Sequence, residues 1–117
     1  MSVSHAVPTA RGLSVRIRPE PDRVVVALTG ELDLATAERA EHWGRALYER
    51  GFTSLVFDLR GLTFVDSSGV RLLLELDRLA ADEGLRFAIA DCDGPVRRLL
   101  QLTGLTDHFA RAEPIGV

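Results

Sequence analysis

The sequence predicts an α/β fold: one domain with a mixed, mostly parallel β-sheet and helices, in the order β-β-α-β-α-β-α-(β). Three features predict it. An alternating segment and a β-branched run face each other across a Pro-Asp turn, as in a hairpin. Strand-like runs then alternate with helical stripes, which implies crossover connections. Each long helical stripe stops at a glycine, and the strands between are continuous apolar runs of the kind helices cover.

The elements follow in order. Residues 1–11, MSVSHAVPTAR, hold no sustained period and read as a flexible tail before a domain at 12–117. "LSVRIRP" (13–19) alternates apolar and polar residues and predicts a half-buried strand. "PDR" (21–23) is turn chemistry, and "VVVALTG" (24–30) is the second strand. Over 34–50, Ala37, Ala40, Trp43, Gly44, Leu47 and Tyr48 form a helical stripe, with Asp33 as N-cap and Gly51 as stop. "TSLVFDL" (53–59) predicts a strand, 69–83 a helix closed by Gly84, and "RFAIAD" (86–91) a strand. Pro95 opens a last helix that Gly104 ends, and "DHFARA" (107–112) predicts a short final strand.

Composition narrows the function. The chain of 117 residues suits one hydrophobic core. A net charge of −3 argues against nucleic acid as a partner, since binders of nucleic acid carry a basic surplus or stripe. Fourteen basic residues are all arginine, which reads as the codon bias of a G+C-rich genome. The single cysteine, Cys92, cannot form an internal disulfide and fits a reducing cytosol. No apolar stretch approaches the ~18–20 residues of a membrane span, and the start of the chain lacks a signal pattern, so a cytoplasmic location is expected.

Parallel strands at 24–30, 53–59 and 86–91 would bring three loops to one sheet edge: 30–33, 60–68 and 91–95. In open α/β sheets that edge is where sites are built. Gly30-Glu31-Leu32-Asp33 reads equally as a turn with a cap or as a functional loop. Asp66-Ser67-Ser68-Gly69 offers three capping oxygens where one suffices, and Gly69 would leave the approach open, which marks an exposed functional joint. Asp91-Cys92-Asp93-Gly94-Pro95 reads as turn and cap chemistry.

Projected at 100° per residue, the helix after the serines has a core stripe of Gly69, Leu72, Leu73, Leu76, Leu79 and Ala80. Arg71, Glu75, Arg78 and Asp82 face solvent, and Arg71/Glu75 and Arg78/Asp82 stand at the i,i+4 spacing of ion pairs. Val70, Leu74 and Ala81 lie between the faces. They form either a wide core stripe or a partner surface beginning beside Ser67.

Catalysis finds little support. A hydrolase elbow needs glycine two residues before and after its serine, but Val65 precedes Ser67, and Asp66 and Val70 flank Ser68. The three histidines, His5, His42 and His108, are scattered, with no Cys/His cluster for a metal and no glycine-rich phosphate loop. The residues predict a protein that is no enzyme and needs no cofactor or metal.

"LTGELDLATAERAE" (28–41), "LVFDLRGLTFVDSSGVRLLL" (55–74) and "GPVRRLLQLTGLTDHF" (94–109) are similar, in order and spacing, to blocks of the bacterial anti-sigma-factor antagonists, single STAS domains. The resemblance covers roughly residues 13–112. It implies a switch. A partner that is both anti-sigma factor and serine kinase would phosphorylate Ser67, the first serine after the aspartate. Unphosphorylated, the antagonist would hold that partner and free the sigma factor; a PP2C-type phosphatase would reset it. The converging loops, the helix face beyond the core stripe and the resemblance together make Glu31, Asp33, Asp66, Ser67, Ser68, Gly69, Val70, Arg71 and Leu74 the candidate partner-binding residues. Arg71 departs from the small residue many relatives carry there. It stands four residues from Ser67, where it would pair with a phosphate or alter which kinase fits. The same fold also implies an alternative: a phosphorylation-independent scaffold, or a sensory or lipid-transport accessory domain.

Overall fold

The computed structural model describes residues 12–113 and the backbone of residues 5–7. The elements are β1 (His5–Val7), β2 (Leu13–Glu20), β3 (Arg23–Leu32), α1 (Ala37–Glu49), β4 (Ser54–Val65), α2 (Ser67–Glu83), β5 (Arg86–Ala90), α3 (Pro95–Leu102) and β6 (Ala110–Arg111). This is the predicted single α/β domain, with the predicted order from β2 onward. The tail expected over 1–11 falls mostly outside the described residues, but His5–Val7 pairs with Val15–Ile17 as an edge strand.

Six strands form one sheet in sequence order. β2 and β3 make the expected antiparallel hairpin, closed by Pro21-Asp22 between Glu20 and Arg23. β3, β4, β5 and β6 then run parallel. Each parallel connection steps the same way, so right-handed crossovers place α1, α2 and α3 on one face. The core confirms that placement. Leu28, Leu55, Phe57, Phe87 and Ile89 of the strands share one cluster with Leu47, Leu76 and Leu100 of the three helices.

The helices therefore do not cover both faces, as continuous apolar strands had implied. The second face buries only a small cluster of Val25, Val56 and Ala90. Strand alternation surrounds it with Arg18, Glu20, Arg23, Asp58 and Arg60. Glu20 binds Arg18 and Arg23 at 3.0 and 2.8 Å, and Asp58 binds Arg60 at 2.9 Å. Paired charges with long aliphatic stems do there what a helix does on the other face.

Two differences reshape the functional edge. First, β4 does not stop at 59 but runs to Val65. Arg60-Gly61 looks like a turn, yet Gly61 is a strand residue where the chains approach closely: a Cβ there would lie 3.0 Å from the Leu28 carbonyl oxygen. The register slips twice, between Ala27/Thr29 and between Gly30/Glu31, because β4 carries an extra residue at each point. β3 and β4 thus project well beyond β5, whose pairing ends at Asp58↔Ala90. Second, the loop after β5 is pinned low on that arm. Asp91 takes Arg111 at 3.0 Å and Arg97 at 3.5 Å, and the Cys92 thiol lies 4.0 Å from the Arg60 carbonyl. At about 3.3 Å per residue, Arg60 stands on the order of 15–20 Å below Asp66. Only two of the three expected loops meet.

The predicted helix stripes hold, with Trp43 and Leu79 half-buried at their margins. Gly44 allows α1 and α2 to cross closely: a Cβ there would lie 2.7 Å from Leu76 Cδ1. Arg71/Glu75 and Arg78/Asp82 do not form ion pairs. The Asp77 carboxylate instead lies 3.2 Å from His108 Nε2.

Candidate functional site at the ends of the third and fourth strands

β3 delivers Leu32 and β4 delivers Val65 side by side, and each chain then turns into a helix. The two turns are tied together, since the Asp66 amide donates to the Leu32 carbonyl at 3.2 Å.

The first turn is built by Asp33 and Thr36. α1 starts at Ala37, three residues later than predicted, so Asp33 caps a preceding turn rather than the helix. The Asp33 carboxylate accepts the amides of Ala35 and Thr36 at 3.0 and 3.2 Å. The Thr36 hydroxyl accepts the Asp33 amide at 2.9 Å and donates to the Glu31 carbonyl at 2.9 Å. Thr36 is 1 % exposed, and it locks Glu31–Asp33 in one conformation. Glu31 is exposed, and its amide donates to the Gly12 carbonyl at 2.8 Å. Gly30 lies so close that a Cβ would sit 1.8 Å from that oxygen, and its φ of +106° also requires glycine.

The second turn is Asp66, the N-cap of α2. Its carboxylate accepts the Ser68 amide at 2.9 Å. Ser67 is the first residue of α2 and is exposed; Ser68 is half-buried. The Ser67 hydroxyl has no hydrogen-bond partner among the described residues. Thr63, the other nearby hydroxyl on β4, donates to the Gly30 carbonyl at 3.1 Å. The capping and the free hydroxyl are thus divided between neighbouring residues.

One expectation about α2 needs correction, and burial decides the choice left open for Val70 and Leu74. Gly69 does not open an approach from outside; it is buried, and a Cβ would lie 2.6 Å from Val65 Cγ2 and 2.9 Å from Leu32 Cδ2. It is glycine so that the helix can sit on the two strand ends. Val70 is 7 % exposed and belongs to the core, so it offers no open contact surface. Leu74 is half-buried and packs against the same core. Val70 and Leu74 thus widen the core stripe, whereas Ala81, the third apolar residue between the faces, is exposed.

The exposed apolar surface lies elsewhere. Leu34, 81 % exposed, and Phe64, 47 % exposed, flank a hollow with Asp33, Ala35 and Asp66. Leu34 also borders a groove between α1 and α2, with Ser68, Arg71, Glu38, Glu41 and Glu75. Neither residue stood among the candidates. Leu34 carried a signal: it follows Asp33 on the side of Glu38 and Glu41, where an α1 helix should be polar. Phe64 did not, because its outward direction depends on the bulge before it. Asp33 and Asp66 line the hollow with Leu34 and Phe64, Ser68 and Arg71 line the groove with Leu34, and Ser67 follows Asp66 in the chain.

The STAS domain family model matches residues 13–115. An anti-sigma F factor antagonist of Paenibacillus polymyxa is 33 % identical over 96 residues, covering 80 % of this chain and 82 % of the relative. The crystal structure of an anti-sigma factor antagonist from Mycobacterium paratuberculosis superposes with a TM-score of 0.79 at 24 % identity, over 93 % of this chain and 92 % of that one. The anti-sigma factor antagonist SpoIIAA in its unphosphorylated form gives a TM-score of 0.66 at 25 % identity, over 95 % and 89 % of the two chains. The chain belongs to the STAS domain family, among its anti-sigma factor antagonists.

Proposed function

We propose that this protein binds an anti-sigma factor that is also a serine kinase, so releasing a sigma factor, and that phosphorylation of Ser67 ends the contact. The observation that carries this reading is the exposed, uncommitted Ser67 hydroxyl on a capped turn, one residue after Asp66, which lines a hollow with exposed Leu34 and Phe64. An acceptor must enter a kinase site, and a binding surface needs apolar area around it. The chain's likeness to SpoIIAA, solved in a form specified as unphosphorylated, supports the same reading.

The chemistry is simple. Ser67 Oγ attacks the γ-phosphorus of ATP held by the partner. The bond to the bridging oxygen breaks, ADP departs, and the serine proton passes to a base on the partner. This chain supplies the positioned nucleophile. A phosphoserine adds about −1.5 to −2 charges at neutral pH. It sits at the amino end of α2, where the helix dipole favours an anion, so the fold accepts it. Asp33 and Asp66 already make the surroundings acidic. Burying a further charge against a partner costs several kcal/mol, enough to break the contact. A PP2C-type phosphatase restores the serine.

The test is a pull-down from native extract with wild type and Ser67→Asp, followed by calorimetry with the recovered partner. Wild type is expected to retain an ATP-binding anti-sigma factor that Ser67→Asp releases. Equal retention by both, or recovery of membrane-transport proteins, would point to the phosphorylation-independent accessory role.

A further inference from the structure

We propose that Arg71 is a built-in clamp for the phosphorylated state: when Ser67 carries phosphate, the Arg71 guanidinium one helical turn away closes onto it. The inference rests on reading Ser67 as the acceptor, and it concerns what the chain does with the phosphate afterwards.

Ser67 and Arg71 stand at i and i+4 of α2, and both are exposed. That spacing puts their side chains on one face, and the order acid-then-base is the favourable one. Arg71 makes no hydrogen bond or ion pair among the described residues, although Glu75 is one turn further on. It borders the α1–α2 groove with Glu38, Glu41 and Glu75, and it is the one cation there among the described residues. Glu41 is already engaged by Arg45 at 2.8 Å. Asp33 and Asp66 add negative charge on the other side of Ser67. A phosphate placed among these carboxylates has one guanidinium within a helical turn. Guanidinium binds phosphate through two parallel N–H donors, which glutamate at i+4 cannot outcompete against a dianion.

The consequence is a double change at one surface. Phosphorylation adds an anion at Ser67 and draws Arg71, the one cation lining the groove among the described residues, away from it. A partner that reads the groove as well as the serine is repelled at both places. The clamp also stabilises the phosphoprotein against unfolding.

Phosphoserine installed at position 67 during translation tests this without any kinase. The second ionisation of the phosphate is followed by phosphorus NMR in wild type, Arg71→Gln and Arg71→Lys. In the wild-type chain it is expected to lie roughly 0.2–0.4 pH unit below that in Arg71→Gln, with Arg71→Lys between. The gap narrows in 0.5 M salt, and phosphorylation raises Tm in wild type more than in Arg71→Gln. Unphosphorylated Arg71→Gln should melt as wild type does, which separates a lost clamp from a damaged fold. Phosphate ionisations that coincide in wild type and Arg71→Gln would overturn the clamp. Because no kinase is used, a chain never phosphorylated by its partner would sink the Ser67 reading and leave this result standing.

Discussion

The Asp66 carboxylate accepts the Ser68 amide at 2.9 Å, and the intervening Ser67 hydroxyl stays free. The cap belongs to the aspartate, and the hydroxyl proposed as phosphate acceptor belongs to the serine. Asp66→Ala is therefore expected to cost about 1 kcal/mol of stability, whereas Asp66→Asn, which caps as well, costs a few tenths. Urea unfolding of the three proteins checks this. Equal midpoints for Asp66→Ala and wild type would mean that the first turn of α2 is held by other means.

Much of this was legible in the sequence, and the illegible parts share a cause. The stripes of α1 and α2 and the glycines at 51, 84 and 104 are local signals, and each landed where the pattern put it. Asp66 and Ser67 stand out because a run of small polar residues at a strand–helix joint needs explaining, and Asp66 is the cap that such a run supplies. The errors lie where tertiary pairing overrides local pattern. Arg60-Gly61 reads as a turn until β3 supplies a partner and a bulge. Gly69 falls on the core stripe in projection, and only its missing side chain suggests an open approach until Leu32 and Val65 fill the space there; Val70, between the faces, is buried. Leu34 escapes the pattern because the stripe places the start of the helix there, three residues before α1 begins.

Leu34 and Leu74 separate surface from core. Leu34→Ser should leave stability within about 0.5 kcal/mol of wild type, since the side chain is 81 % exposed. It should weaken binding to the anti-sigma factor by about 1–2 kcal/mol, and Phe64→Ser should do likewise. Leu74→Ala should instead lose about 1–2 kcal/mol of stability, roughly half of a full core deletion, because Leu74 is half-buried on the core. Calorimetry and thermal unfolding read the two effects separately. A Leu34→Ser protein that bound as wild type would move the contact off this face.

Acid should loosen the charge-paired side of the sheet. Burial favours the neutral acid at Asp58, but the Arg60 hydrogen bonds and charge outweigh it and hold the carboxyl below its ordinary range. Asp91 behaves likewise: burial opposes ionisation, and Arg111 and then Arg97 reverse it. At Glu20 burial is again overcome, by Arg23 and Arg18. A carboxyl whose folded value is depressed contributes stability that is complete above its unfolded value, near 4. That stability is lost as pH falls through the lower folded value. Stability should be flat from pH 7 to about 5 and fall steadily toward pH 2. Asp91→Asn should cost about 2 kcal/mol at pH 7 and show a shallower acid fall. Parallel pH profiles for wild type and Asp91→Asn would show that the Arg97 and Arg111 pairs contribute nothing to stability.

Phosphopeptide mapping after reaction with ATP and the recovered anti-sigma kinase tests the central claim most directly. The account predicts one phosphate per chain, on Ser67, abolished by Ser67→Ala and retained in Ser68→Ala. Phosphate on Ser68 or Thr63, or none at all with an active kinase, would contradict it.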